Sequence, residues 1–152
     1  MSVQLPKDSD APRAFTFTTD SRLGNVELLA RAVRGLCGAA GLPGRECARV
    51  ELAIVEAVNN VVRHAYHGEP GHTVEVTVTV DGGQLVLEVA DEGTPMPPHG
   101  TPVLDFDPDD LANLPEGGMG LFLIHSVMDT VEYRSRDGRN ILAMTHRIAD
   151  AA

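Results

Sequence analysis

The sequence predicts an α+β two-layer sandwich, three helices covering one face of a mixed, mostly antiparallel sheet. Three observations point there. Residues 73–80, TVEVTVTV, alternate strictly, which is the period of a half-buried strand. Residues from about 21 to 40 and from 43 to 67 instead carry apolar side chains at helical spacing. The whole chain then runs strand, helix, helix, hairpin, long irregular stretch, helix, hairpin, with no internal repeat.

Taken in order, residues 1–13 are polar and Pro-containing and read as a loose arm before a single domain spanning 14–150. Ala14 to Thr19, AFTFTT, alternates Phe with Thr as a short strand would. Asp20 or Ser21 can cap a helix running to about Ala40, with Leu23, Val26, Leu29, Ala30, Val33 and Leu36 on its apolar side. Gly41-Leu42-Pro43-Gly44 ends that helix, and Pro43 suits the opening of the next, which stops near Gly68. Asp81-Gly82-Gly83 is a tight turn between the Thr73 strand and a returning strand, Gln84 to Ala90. Asp91 to Glu116 is rich in Pro, Gly and Asp without a durable period, the character of a lid, here about 94–116. Gly117 to Met128 returns to helical spacing. Thr130–Arg134 and Ile141–Ile148 close the chain as two strands joined by Arg136-Asp137-Gly138-Arg139.

Bulk properties narrow the function. A chain of 152 residues, 43% apolar, can bury one real core and is too short for two ordinary ones. No apolar run approaches membrane-spanning length, and MSVQLPKDSDAPR is no signal segment, so a cytoplasmic protein is expected. Cys37 and Cys47 are too few for a metal knuckle or disulfide scaffold and read as buried apolar residues. A net charge of −10 argues against direct nucleic-acid binding but leaves room for a basic protein partner or a metal-neutralised nucleotide.

The chemistry concentrates on the second helix. At 100° per residue, Glu56, Asn59, Asn60, Arg63, His64 and His67 fall on one side, and Ile54, Ala57, Val58, Val61 and Ala65 on the other. Adjacent asparagines are poor helix formers, so this is not an ordinary solvated face. Glu56 and Asn60, four apart, point into one space, a proton acceptor beside a hard oxygen ligand suited to Mg²⁺. Two clusters downstream add to it. Asp91-Glu92-Gly93-Thr94-Pro95 ends a buried-looking strand with a carboxylate that can accept from an exocyclic amine, beside a glycine that lets a flat ring approach. Gly117-Gly118-Met119-Gly120-Leu121 opens a helix, where free backbone N–H groups favour phosphate. Each alone is commonly no more than a turn or a helix start.

Together they resemble the Bergerat, or GHKL, ATP-binding family. Glu56-x-x-x-Asn60-x-x-x-His64-Ala65, Asp91-x-Gly93-x-Pro95 and Gly118-x-Gly120-Leu121 match its three boxes in order and spacing, from about Ala14 to Ile148. Phe106-Asp107-Pro108 and the run from Gly117 to Asp129 are similar to the RsbW-type anti-sigma-factor serine kinases. The resemblance implies an ATP-dependent serine/threonine kinase that phosphorylates a small anti-anti-sigma (STAS-domain) partner, sequesters a sigma factor, and forms a homodimer through its first strand and helix. It implies Glu56 as general base and Asn60 as the ligand of Mg²⁺ bridging the ATP phosphates. Asp91 would recognise adenine, helped by Gly93 and by Thr145 on the last strand. His64, Pro95 and Met96 would lie along the nucleotide, and Gly117, Gly118, Met119, Gly120 and Leu121 would cradle the phosphates.

One departure stands out. The family places an arginine just before the third box, whereas here Leu114-Pro115-Glu116 stands there and Thr94–Glu116 contains no Lys or Arg. Arg63, one turn after Asn60, is the candidate replacement, and the alternative function is a nucleotide-binding module that sequesters partners without efficient transfer. Other patterns are weaker. Asp105, Asp107, Asp109 and Glu116 mimic an EF-hand loop, but Asp110 stands where its turn needs glycine. His64 and His67 have zinc spacing without an evident third ligand. His125 reads as a core or edge histidine, and Met119 and Met128 as packing residues.

Overall fold

The computed structural model describes residues 11–97 and 119–148. β1 (Arg13–Asp20) turns Phe15 and Phe17 inward opposite Val78 and Val76, as the Phe/Thr alternation requires. The first helix starts later than expected. A 3-10 turn, Leu23–Asn25, precedes α1 (Val26–Ala39), and neither Asp20 nor Ser21 caps it. Both are engaged elsewhere: the Ser21 hydroxyl donates to the Glu69 carbonyl at 2.7 Å and accepts from the His72 N–H, and Asp20 accepts from the Gly71 N–H. They stitch the loop that leads into the next strand. Leu23, consequently, lies 50% exposed on the 3-10 turn and not on the apolar side of the helix.

α2 (Gly44–Asn60) begins after Pro43, which occupies the N-cap position. Its inner face, Val50, Ala53, Ile54, Ala57 and Val58, is almost wholly buried. Directly after Asn60 the helix loosens into a π turn, Val61–Ala65, closed by the Tyr66 N–H donating to the Val61 carbonyl. β2 (Thr73–Asp81) and β3 (Gln84–Asp91) form the expected hairpin. α3 (Met119–Val127) is followed by β4 (Thr130–Arg136) and β5 (Arg139–Arg147), a second hairpin whose turn places Asp137 and Gly138 at φ 54° and 79°.

The sheet order is β1-β2-β3-β5-β4, and every pairing among the described residues is antiparallel. β3 and β4 therefore run the same way with β5 inserted between them. Val74, Val76 and Val78, Leu85, Leu87 and Val89, and Leu142 and Met144 project from one face into a core closed by α1, α2 and Ile124 of α3. Alternation fixes the other face: Thr77, Thr79, Glu88, Ala143 and Thr145 project away from the helices. Among the described residues, a buried polar pair joins the layers. Glu46 in the first turn of α2 and His146 on β5, both nearly inaccessible, meet at 2.9 Å.

Candidate functional site

The cleft that matters opens where α2 ends. Ala57, Asn60, Val61 and Ala65 form one wall, Val89, Asp91 and Leu142 the sheet side, and Thr94, Met96 and Tyr133 the rim. Asn60 and Asp91 thus line the same cavity although thirty-one residues separate them. The π turn holds this arrangement in register: with its helical bonding interrupted, the Ala65 carbonyl accepts from the Thr94 N–H at 2.9 Å and ties the segment after β3 to the end of the helix. The approach is so close that only glycine fits at position 93. A Cβ there would sit 2.7 Å from the Ala65 carbonyl carbon and nearer still to its oxygen.

Asp91 is 6% exposed, and its Oδ1 accepts from the Gly93 N–H at 2.9 Å and from Asn140 Nδ2 at 2.8 Å. Among the described residues its other oxygen has no hydrogen bond, and a carboxylate so placed can accept from a ligand's amino group. Asn140 is fully engaged. Its Nδ2 also donates to the Gly93 carbonyl at 2.9 Å, and its Oδ1 accepts from the Ser135 hydroxyl at 2.6 Å. Nearby, the Tyr133 hydroxyl accepts from the Met96 N–H at 2.8 Å, and the Tyr66 hydroxyl accepts from the Glu92 N–H while donating to the Thr73 carbonyl. Burial pushes both tyrosine pKa values upward, so both hydroxyls stay neutral and keep their protons.

At the other end, Gly120 at the start of α3 lies against the polar face of α2. A Cβ on it would stand 3.0 Å from Glu56 Oε2 and 3.4 Å from both amide atoms of Asn60. Carboxylate, carboxamide and a helix-opening backbone therefore share one corner. That arrangement can hold a cation and an anion side by side while keeping a proton acceptor within reach.

Residues 19–146 match the histidine kinase-like ATPase domain. The chain belongs to that family. It is 29% identical over 139 residues to the serine-protein kinase RsbW of Halalkalibacterium halodurans, covering 88% of this chain and 83% of the relative. It is 32% identical over 126 residues to RsbW of Bacillus pumilus, covering 79% and 76%. Among solved structures, the RsbU and RsbW domains of Rv1364c from Mycobacterium tuberculosis superpose with TM-score 0.66 at 18% identity, over 92% of this chain and 34% of that one. The SiaB-SiaC complex from Pseudomonas aeruginosa supplies a second likeness, TM-score 0.56 at 17% identity, over 88% of this chain and 89% of its match. The antiparallel sheet with its three helices is the fold of that family.

Within this ATPase domain the expected residues divide. Glu56, Asn60 and Gly120 come together, as do Asp91, Gly93 and Met96. Pro95 is exposed at the rim, and Leu121 packs on the core. Arg63 and His64 are exposed and do not line the cleft, because the π turn changes the helical phase past Asn60. Thr145 does not assist Asp91. It pairs with Val86 on the face away from the helices, where its hydroxyl meets that of Thr130 at 2.5 Å. The residue opposite Asp91 on β5 is Asn140. Two residues, Ile141 and Leu142, are apolar in succession, which obscured the phase of this strand; the Asp137-Gly138 turn was the available signal, since it fixes the hairpin register. Tyr133, a lone aromatic on the edge strand, was missed as well. Met119 begins α3, but its side chain, together with Gly117, Gly118, the EF-like aspartates and the remainder of the lid from residue 98 on, lies outside the described residues. His67 Nε2 and the Thr94 hydroxyl are hydrogen-bonded at 3.1 Å.

Proposed function

We propose that this chain is an ATP-dependent serine/threonine kinase that phosphorylates a small STAS-domain anti-anti-sigma protein and, in alternation, holds a sigma factor inactive in the cytoplasm. The observation that carries this reading is the cleft that Asn60 and Asp91 both line, with Glu56 beside Asn60 where both face Gly120. Its donor set fits Mg-ATP. Asp91 presents a free carboxylate oxygen to the adenine amino group while Asn140 holds the other, and Tyr133 fixes the backbone at Met96 beside the base. Asn60 would offer its amide oxygen to Mg²⁺, and the backbone around Gly120, which lies against Glu56 and Asn60, would receive the phosphates. ATP would supply the γ-phosphoryl group, and a bound Mg²⁺ would supply charge neutralisation. Glu56 would take the proton of the incoming hydroxyl as its new P–O bond forms, the β–γ P–O bond breaks and ADP leaves, with Arg63 standing outside the cleft. The relatives named as serine-protein kinases support the assignment. A homodimer through β1 and α1 belongs to the same reading.

The second reading, a nucleotide-dependent sequestering module without efficient transfer, is favoured by one fact: Thr94–Glu116 carries five acidic residues and no Lys or Arg. Intact mass of candidate STAS-domain proteins, after incubation with this chain and Mg-ATP, separates the two. A single phosphate adduct that disappears with Glu56→Gln, while Mg-ATP binding is retained, supports the kinase. Absence of any adduct despite bound Mg-ATP leaves the sequestering module.

A further inference from the structure

The outer stripe of α2 has no role in the chemistry so far described. Arg45, Arg49 and Leu52 recur at intervals of four and three residues, all solvent-exposed, with exposed Ala48 between them. The same stripe continues to Glu56, eleven residues and about 16 Å along the helix from Arg45. The two arginines are not neutralised locally. On neighbouring α1, Arg31 pairs with Glu27 and Arg34 with Glu51, whereas Arg45 and Arg49 have no ion pair among the described residues. Glu46, the acid beside them in the first turn, is turned inward to His146, and Glu51 is already held by Arg34 at 2.9 Å. In a chain of net charge −10, a basic strip whose arginines no neighbouring carboxylate offsets favours the approach of an acidic partner.

We propose that Arg45, Arg49 and Leu52 form the docking surface for an acidic segment of the phospho-acceptor protein, with its carboxylates on the arginines and an apolar side chain on Leu52. Bound along this stripe, the partner brings its acceptor hydroxyl to Glu56 at the mouth of the cleft. Docking of this kind lowers the acceptor KM without changing transfer from the bound state. The proposal rests on the kinase reading, and its test separates the two.

The probe is the STAS-domain protein that acquires phosphate in the mass experiment above. The double reversal Arg45→Glu/Arg49→Glu is expected to raise its KM by about tenfold or more, leaving kcat and Mg-ATP affinity at parent values. Arg136→Glu, on the exposed β4–β5 turn, is expected to leave KM unchanged. An unaltered KM in the double variant overturns the docking surface and leaves the kinase standing. A KM raised equally by Arg136→Glu reduces the effect to general charge and also overturns it. Should the parent phosphorylate no STAS-domain protein, the kinase reading falls, and calorimetric titration of the same proteins decides the surface. Binding lost on double reversal supports it, and binding unchanged or absent overturns it.

Discussion

At the scale of single residues, the site depends on side chains that never touch the reacting groups. Asn140 is 1% exposed and satisfies three neighbours at once: Asp91, the Gly93 carbonyl and Ser135. Asn140→Ala leaves each of them short of a partner in a dry environment, so a stability loss of about 2–4 kcal/mol by urea unfolding is expected, together with weaker binding of a fluorescent ATP analogue. Parent-like affinity in a folded variant would separate Asp91's orientation from its function. Asn140 was not legible in the sequence because its importance is purely one of register, an asparagine becoming a site residue only because β5 pairs with β3 at that step. Glu56 and Asn60, by contrast, share one helix, and their juxtaposition follows from spacing alone.

At the scale of elements, the two long helices show how local patterns translate into packing. Cys37 on α1 and Cys47 on α2 flank their connecting turn, the Cys37 carbonyl accepting from Leu42 N–H and the Cys47 thiol donating to the Leu42 carbonyl. Burial raises both thiol pKa values, that of Cys37 from 9.0 to about 12. The stabilisation from keeping Cys37 neutral is complete below pH 9 and is lost as pH climbs toward 12, because the unfolded thiol ionises first. Thermal midpoints should fall over that window and fall less in a Cys37→Ala protein, while neither thiol should react with a disulfide reagent at pH 8 without unfolding. The strands were readable from their alternation and the helices from their apolar faces. The π turn was not, because a fifth-residue bond depends on the docking of Thr94 against Ala65 and leaves no periodic trace.

At the scale of the whole molecule, the cleft is shared between the layers, so a ligand there clamps helix to sheet. If Mg-ATP occupies it, a hundredfold excess over Kd should add about 2.7 kcal/mol and raise the melting temperature by roughly 5–10 °C. Chelating the metal should cut that shift, and Glu56→Gln should preserve it, since the general base is not asked to hold the nucleotide. The antiparallel sheet beneath three helices was legible because each element carries its own period. What was not legible is where the layers meet, as with Glu46 and His146, one hundred residues apart.

The order β3-β5-β4 also has a temporal side. As the chain leaves the ribosome, β4 emerges before the strand that must lie between it and β3, so it has no neighbour to pair with until Arg139–Arg147 follows. Asp91 meanwhile waits for Asn140, forty-nine residues downstream. Such distant pairings close slowly. A nascent chain halted before the last hairpin turn should therefore hold no nucleotide at all, and competence should arrive in one step when the strand that belongs between β3 and β4 pairs with both.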